Sequence, residues 1–252
     1  MNEARKLLGK MELNIRVANR NILVHSVYPA IYNLCKSYWT EENAAPDVEI
    51  RIDESMIRAE AERIRQADGQ NLNAKSAERL LVHRLVSEAL LSFDTLLMHG
   101  AVVSLDGAAY MFTAKSGTGK TTHIQNWLEN IGGAYVVNGD KPFLIVGKDG
   151  VLACGSPWAG KENLNTNTAV PLKSIVLLER AEENRMERIP FIQAFPALLQ
   201  QTHRPDAPEK MRQTLRLLQR MNHAVSFWRF HCNNFKDDCL NVAYNALVKG
   251  QI

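Results

Sequence analysis

Apolar positions alternate with polar ones over residues 11–18 (Met11, Leu13, Ile15, Val17), and Ile22, Leu23 and Val24 follow in residues 21–26. This pattern predicts two strands joined at Ala18-Asn19-Arg20-Asn21. Tyr28 to Trp39 suits a short helix with Ile31, Leu34 and Cys35 on one face, and Val48 to Ile52 alternates as a strand. Met56 to Gln66 is charged and helix-compatible, with Glu60 placed to pair with Arg63 or Arg65 at the surface. Asp68-Gly69-Gln70-Asn71 breaks that segment. A long helix then runs from Ser76 to Phe93 with a stripe of Leu80, Leu81, Leu85, Ala89 and Leu90. Its charged residues Glu78, Arg79, Arg84 and Glu88 read as a solvated face.

Further on, Leu96 to Leu105 and Ala108 to Thr113 flank Asp106-Gly107, a tight-hairpin signal. Ala114 to Thr122 is small and Gly-rich, and a helix leads out from Thr121 to Trp127. Ala134 to Asn138 is a strand ending in Gly139-Asp140, and a second hairpin is expected around Lys148-Asp149-Gly150. Gly155 to Asn163 reads as a loop, Ile175 to Leu178 as a short buried strand and Glu179 to Arg188 as a charged turn. Helices near 190–202 and 207–221 follow, the second with Asp206 as cap and Pro208 in its first turn. A strand from Ala224 to Phe230 and a helix from Asp237 to Val248 close the chain.

The pattern describes an α/β chain: a mixed, partly antiparallel sheet, with a small α/β lobe in residues 1–70 and a main domain in 71–252. The composition changes little near residue 70, so that join is soft. Hydrophobic residues make up 46% and charged residues 23% of 252, the values of an ordinary globular protein with a substantial core. A net charge of +3 is too small to argue for nucleic acid or an anionic membrane surface. With no long apolar run and no signal-peptide pattern at Met1 to Lys6, a cytoplasmic protein off the membrane is expected. Cys35, Cys154, Cys232 and Cys239 are scattered without a C-x-x-C pair, which signals neither a zinc site nor a disulfide framework.

The chemistry concentrates between His99 and Asp140. Ala114-Lys115-Ser116-Gly117-Thr118-Gly119-Lys120-Thr121-Thr122 has the form of a phosphate loop, with Ala114 where the first glycine usually stands. In such a loop backbone N–H groups of Ser116, Gly117, Thr118, Gly119 and Thr122 surround phosphate oxygens at a helix N-terminus. Lys120 reaches the outer phosphates and the Thr121 hydroxyl sits on Mg2+. The alternative is a Gly-rich turn before an ordinary helix. Asp140, at the end of a strand just beyond the loop helix, stands where a metal-binding carboxylate is expected, though Asn-Gly-Asp is also turn chemistry. His99 is either a core histidine or a group brought to the loop by the hairpin. Lys161 and Glu162 are either an exposed charged pair or a cation for the phosphoryl group and a second carboxylate.

His99-Gly100, the hairpin, Ser116 to Thr122 and the following carboxylate together resemble the catalytic domain of bacterial HPr kinase/phosphorylase. That family is related in fold to the ATP-dependent phosphoenolpyruvate carboxykinases. The resemblance is specific from His99 to Asp140, looser to residue 250, and does not cover residues 1–70. It implies that His99 sits by the phosphates, that Lys120 and Thr121 serve ATP and Mg2+, and that Asp140 matches one of two adjacent acids. One of those acids is the general base and the other a metal ligand. Gly139 stands where the pair would be completed, which leaves Asp140 for the metal and a residue such as Glu162 as base. The expected activity is ATP-dependent phosphorylation of a hydroxyl, a serine on a protein or peptide. The rivals are a non-catalytic ATP-binding regulator and a carboxykinase, although carboxykinases are considerably longer. The family assembles into homo-oligomers; no surface stripe in the sequence points to one.

Overall fold

A computed structural model describes residues 11–40, 45–115, 117–233 and 238–251. Ser116 and Asp237 lie outside the described residues. The chain divides into two compact units that meet at Leu90 and Leu91.

In the first unit, β1 (Met11–Val17) and β2 (Arg20–Ser26) pair antiparallel, and β3 (Val48–Arg51) joins β2 in parallel. Ala18 and Asn19 form the corner with φ of 51° and 60°, the mirror-image turn that suits strand twist. The helix expected from Tyr28 is only α1 (Ala30–Leu34), followed by a single 3-10 turn at Lys36–Tyr38. Helix α2 (Glu54–Asp68) begins at Asp53, whose carboxylate accepts the Met56 N–H at 2.9 Å, and stops at Gly69 with φ 69°. Helix α3 (Ala74–Leu90) packs on α1, α2 and β3. The unit therefore extends through α3 and not merely to residue 70.

The apolar stripe of α3 is also rotated from its expected place: Ala77, Leu81, Val82, Val86 and Leu90 are buried, while Leu80 is 42% exposed. Glu78 falls on that buried side, so the charged face is not wholly solvated. It accepts the Val27 N–H at 2.6 Å and the Tyr28 N–H at 3.1 Å. Glu60 is buried too, not at the surface, and holds Arg63 at 2.7 Å and Arg84 at 2.8 Å, while Arg65 pairs with Glu62. Burial works to raise the Glu60 pKa, and the two guanidinium groups outweigh it and hold it below the ordinary range.

The second unit carries the larger sheet. Its strands are β4 (Thr95–Leu97), β5 (Ala101–Leu105), β6 (Ala108–Thr113), β7 (Tyr135–Asn138), β8 (Phe143–Val146), β9 (Val151–Cys154), β10 (Ala169–Arg180), β11 (Arg185–Ile189) and β12 (Ser226–Cys232). They follow the order β4-β8-β9-β10-β6-β5-β7, with β12 beside β10 and β11 beside β12. β5 and β6 form the expected hairpin, turning at Asp106 and Gly107 with φ of 50° and 76°. β6 pairs in parallel with β10, and β10 in parallel with β12. The sheet is thus mixed. Part of the expected turn at 179–188 is strand: β10 runs through Arg180, and Arg185 to Ile189 pair antiparallel with β12.

Alternation along β6 explains the two layers of core. Ala109 and Met111 face one side, packed with Leu198, Leu217 and Leu218 of α5 (Phe191–Gln201) and α6 (Pro208–Arg220). Tyr110 and Phe112 face the other, packed with Ile124 and Trp127 of α4 (Lys120–Asn130) and Ala243 of α7 (Cys239–Tyr244). Helix α6 is capped from Ala207 without a side-chain bond, so Asp206 does not cap it. No helix among the described residues is long and apolar enough to cross a membrane.

Candidate functional site

The 114–122 loop joins the carboxyl end of β6 to the N-terminus of α4. Gly117 and Gly119 have φ of 79° and 111°, conformations that side chains with a Cβ rarely adopt. Gly119 accepts the His123 N–H at 3.0 Å and so begins the helix. The Thr118 hydroxyl closes the loop on the Lys115 carbonyl at 2.8 Å. Lys120 folds back, its ammonium 3.0 Å from the Ala114 carbonyl. Burial pulls the Lys120 pKa down, Asp140 partly restores it and Lys141 lowers it again; the net position is below the ordinary ammonium range.

His99 reaches this loop because two elements hold it. Its N–H donates to the Gln201 carbonyl at 2.7 Å, one of the carbonyls left free at the end of α5. Its own carbonyl accepts the Thr113 hydroxyl at 2.6 Å. The ring lies between Gln201 Oε1, 2.9 Å from Nδ1, and Asp140 Oδ1, 3.1 Å from Nε2. Gly100 follows with no room for a side chain, since a Cβ there would stand 2.9 Å from the Phe112 carbonyl oxygen.

Asp140 is fixed from the opposite side by Asn138. The Asn138 side-chain oxygen Oδ1 accepts the Asp140 and Lys141 N–H groups at 2.9 and 2.6 Å, and its side-chain NH2 donates to the Ser156 carbonyl at 3.0 Å. Lys141 Nζ lies 3.6 Å from Asp140 Oδ1. Burial pushes the Asp140 pKa upward, but the His99 hydrogen bond and the Lys141 charge overrule it and leave the carboxyl below its usual range. Gly160, at φ 76°, lies directly over Asp140. A Cβ at Gly139 would meet the Leu164 and Ala159 carbonyl oxygens at 3.4 and 3.5 Å. A Cβ therefore fits there at ordinary contact distance.

The expected site residues are brought together unequally. His99 and Asp140 are in contact, and Lys120 is electrostatically coupled to Asp140. Thr121, Gly139 and Glu162 of the 155–163 loop line one small cavity. Lys161 is exposed and pairs with no described residue. Four residues were not legible as site residues. Gln201 is 102 positions from the histidine it holds. Asn138 was readable only as turn chemistry, and Lys141 only as the next residue of that turn. Arg180 ends β10 and donates to the Gly117 carbonyl, lining a cleft of about 420 Å³ with Thr113, Thr118, Glu179 and Gln201. That cleft opens at the carboxyl ends of parallel strands β6 and β10, where α/β folds place ligands.

No protein-family model matches this chain, and no curated protein matches it. Among solved structures, the Hpr(Ser) kinase/phosphatase from Coxiella burnetii is similar over 61% of this chain and 92% of that chain, with 11% identity and a TM-score of 0.37.

Proposed function

We propose that the unit from Leu91 onward is a Mg-ATP-dependent phosphotransferase that phosphorylates a hydroxyl, with serine on a protein or peptide as acceptor class. The observation that carries this reading is the convergence of Lys120, His99 and Asp140 on one Gly-rich loop at a helix N-terminus. Support for polyphosphate binding comes from Gly117 and Gly119, whose positive φ is what a tight phosphate-cradling turn requires, and from the N-terminus of α4, which starts at the same loop. Lys120 has a hydrogen bond to a loop carbonyl that it can exchange for a phosphate oxygen.

Thr121 and Asp140 would hold the magnesium ion, which when bound neutralises phosphate charge. A carboxylate held ionised below its usual range suits that role better than proton abstraction. The base is then Glu162, across the small cavity from Thr121. Glu162 takes the acceptor hydroxyl proton, the acceptor oxygen attacks the γ-phosphorus, and the β–γ bridging oxygen leaves with ADP. Lys120, Lys141 and Arg180 supply positive charge around the transferred group. His99, clamped by Gln201, holds the Asp140 carboxylate in place.

Incubation with γ-labelled ATP and serine-containing peptides tests the site. Lys120→Ala should abolish labelling, and equal labelling by that variant would sink the assignment. Glu162→Gln should lower kcat by about a hundredfold while ATP binding is kept. A second reading, an ATP-binding regulator without catalysis, is favoured by Gly139, which leaves one acid where the resembled family has two. Tight ATP binding without turnover across a broad acceptor panel would decide for it.

A further inference from the structure

At the first turn of α4, on its buried side, three reactive groups meet. Cys232 ends β12, Cys239 opens α7, and His123 lies in the first turn of α4. All three are buried, and their ligand atoms lie within 4.8 Å of one another. The Cys232 and Cys239 sulfurs are 3.5 Å apart, and the Cys239 sulfur is 3.8 Å from His123 Nδ1. Such a set invites a soft metal ion.

The other side of the histidine argues otherwise. Trp127 Nε1 is 3.1 Å from His123 Nε2, and an indole N–H can only donate. Nε2 is therefore an acceptor, and the proton of the neutral ring sits on Nδ1, facing the Cys239 sulfur. A metal-bound histidine has the reverse arrangement: a lone pair toward the ion and an N–H donated outward. Here that outward N–H would confront the buried indole N–H. The ring is set to donate to sulfur.

We propose that Cys232 and Cys239 are a reversible oxidation site, converted by hydrogen peroxide to a disulfide beside the first turn of α4. In the first step the Cys232 sulfur attacks a peroxide oxygen and the O–O bond breaks. The departing hydroxide takes the Cys232 proton as water, leaving a sulfenic acid. The Cys239 sulfur then attacks the Cys232 sulfur, and the S–O bond breaks. The second hydroxide leaves with the Cys239 proton as water. Two thiols and one peroxide thus give one disulfide and two waters, and a small thiol reverses the change by exchange. The contact between the sulfurs holds Cys232 below the ordinary thiol range and, together with burial, pushes Cys239 up, and the same disulfide forms whichever sulfur attacks first. Cys35 and Cys154, each also buried and pushed up to about 12, have among the described residues no sulfur contact like that between Cys232 and Cys239 and serve as internal controls.

Closing the bond draws the sulfurs to about 2.05 Å and takes Cys239 away from His123. The His123 N–H caps onto Gly119 of the loop, so strain there reaches the nucleotide site. This consequence rests on the proposed function; the thiol chemistry does not. Full-length protein is treated with peroxide and its peptides are mapped without reduction. A Cys232–Cys239 linked peptide that dithiothreitol removes, with Cys35 and Cys154 still alkylatable, is expected. Cys232→Ser and Cys239→Ser should each prevent it. All four thiols surviving peroxide, or stoichiometric zinc in the protein as purified, would overturn the site. ATP affinity should fall about fivefold on oxidation and recover on reduction. Unchanged affinity with the disulfide formed would overturn the coupling, whereas no ATP binding in either state would count against the proposed function alone.

Discussion

A methyl group added at Gly160 would stand 3.1 Å from Asp140 Cβ, on a backbone whose φ of 76° already disfavours any side chain. Both effects act on the same spot. Gly160→Ala should therefore cost about 1 kcal/mol or more in stability and displace Asp140 from His99. Thermal unfolding reads the first effect. The second should appear as a larger loss in phosphoryl transfer than in ATP binding, and a variant with unchanged melting and activity would show that the 155–163 loop does not press on the carboxylate. Lys120 offers the opposite case. Burial, helped by Lys141, lowers its pKa in the fold, so between the folded and unfolded values the unfolded chain binds more protons. Its charge thus costs stability at neutral pH, and the cost fades as pH rises through the folded pKa toward the ordinary lysine value. Lys120→Met removes the charge and keeps the volume. It should abolish nucleotide binding yet raise the melting temperature of the ligand-free protein by a few degrees at neutral pH, with less gain at high pH. A fall in melting temperature would mean that the bond to Ala114 outweighs the buried charge.

Among the elements, legibility followed the range of the forces involved. The β5–β6 hairpin was readable because Asp106-Gly107 supplies its turn chemistry locally, and the loop because its glycines are needed wherever that backbone occurs. β11 was not readable: Arg185 and Glu187 pair with each other, and Glu187 with Arg229 of β12, so charges that look solvated in sequence lie along a sheet edge. The clamp of Gln201 on His99 depends on α5 returning to the start of β5, a tertiary event with no local signature. Helix α3 shows the same limit. Periodicity gave its existence, but the face was rotated because Glu78 was assigned to solvent when its partners are backbone N–H groups of Val27 and Tyr28. Burial raises the Glu78 pKa despite those bonds, so its charge is costly, yet removing it leaves two N–H groups orphaned. Glu78→Ala should lose about 2–4 kcal/mol, measured by urea unfolding. A loss below about 0.5 kcal/mol would indicate that water satisfies those groups.

For the molecule as a whole, the division at Leu90 matters more than the modest net charge of +3. Every group placed at the proposed site, from His99 to Gln201, belongs to the second unit, whose sheet is covered on both faces by its own helices. Helix α3 belongs to the other unit: Ala77, Leu81, Val82, Val86 and Leu90 are buried, and within that unit it packs mainly on α1, α2 and β3. A fragment that begins at residue 71 would keep this helix and lose what it packs on, leaving an apolar stripe open to aggregation. A fragment that begins at residue 91 carries no such stripe. The shorter fragment should therefore be the more soluble of the two and should keep ATP binding, as read by expression, light scattering and nucleotide titration. If the longer fragment were monodisperse and the shorter one aggregated, α3 would have to be stabilised by the second unit, and the join would move back toward residue 70.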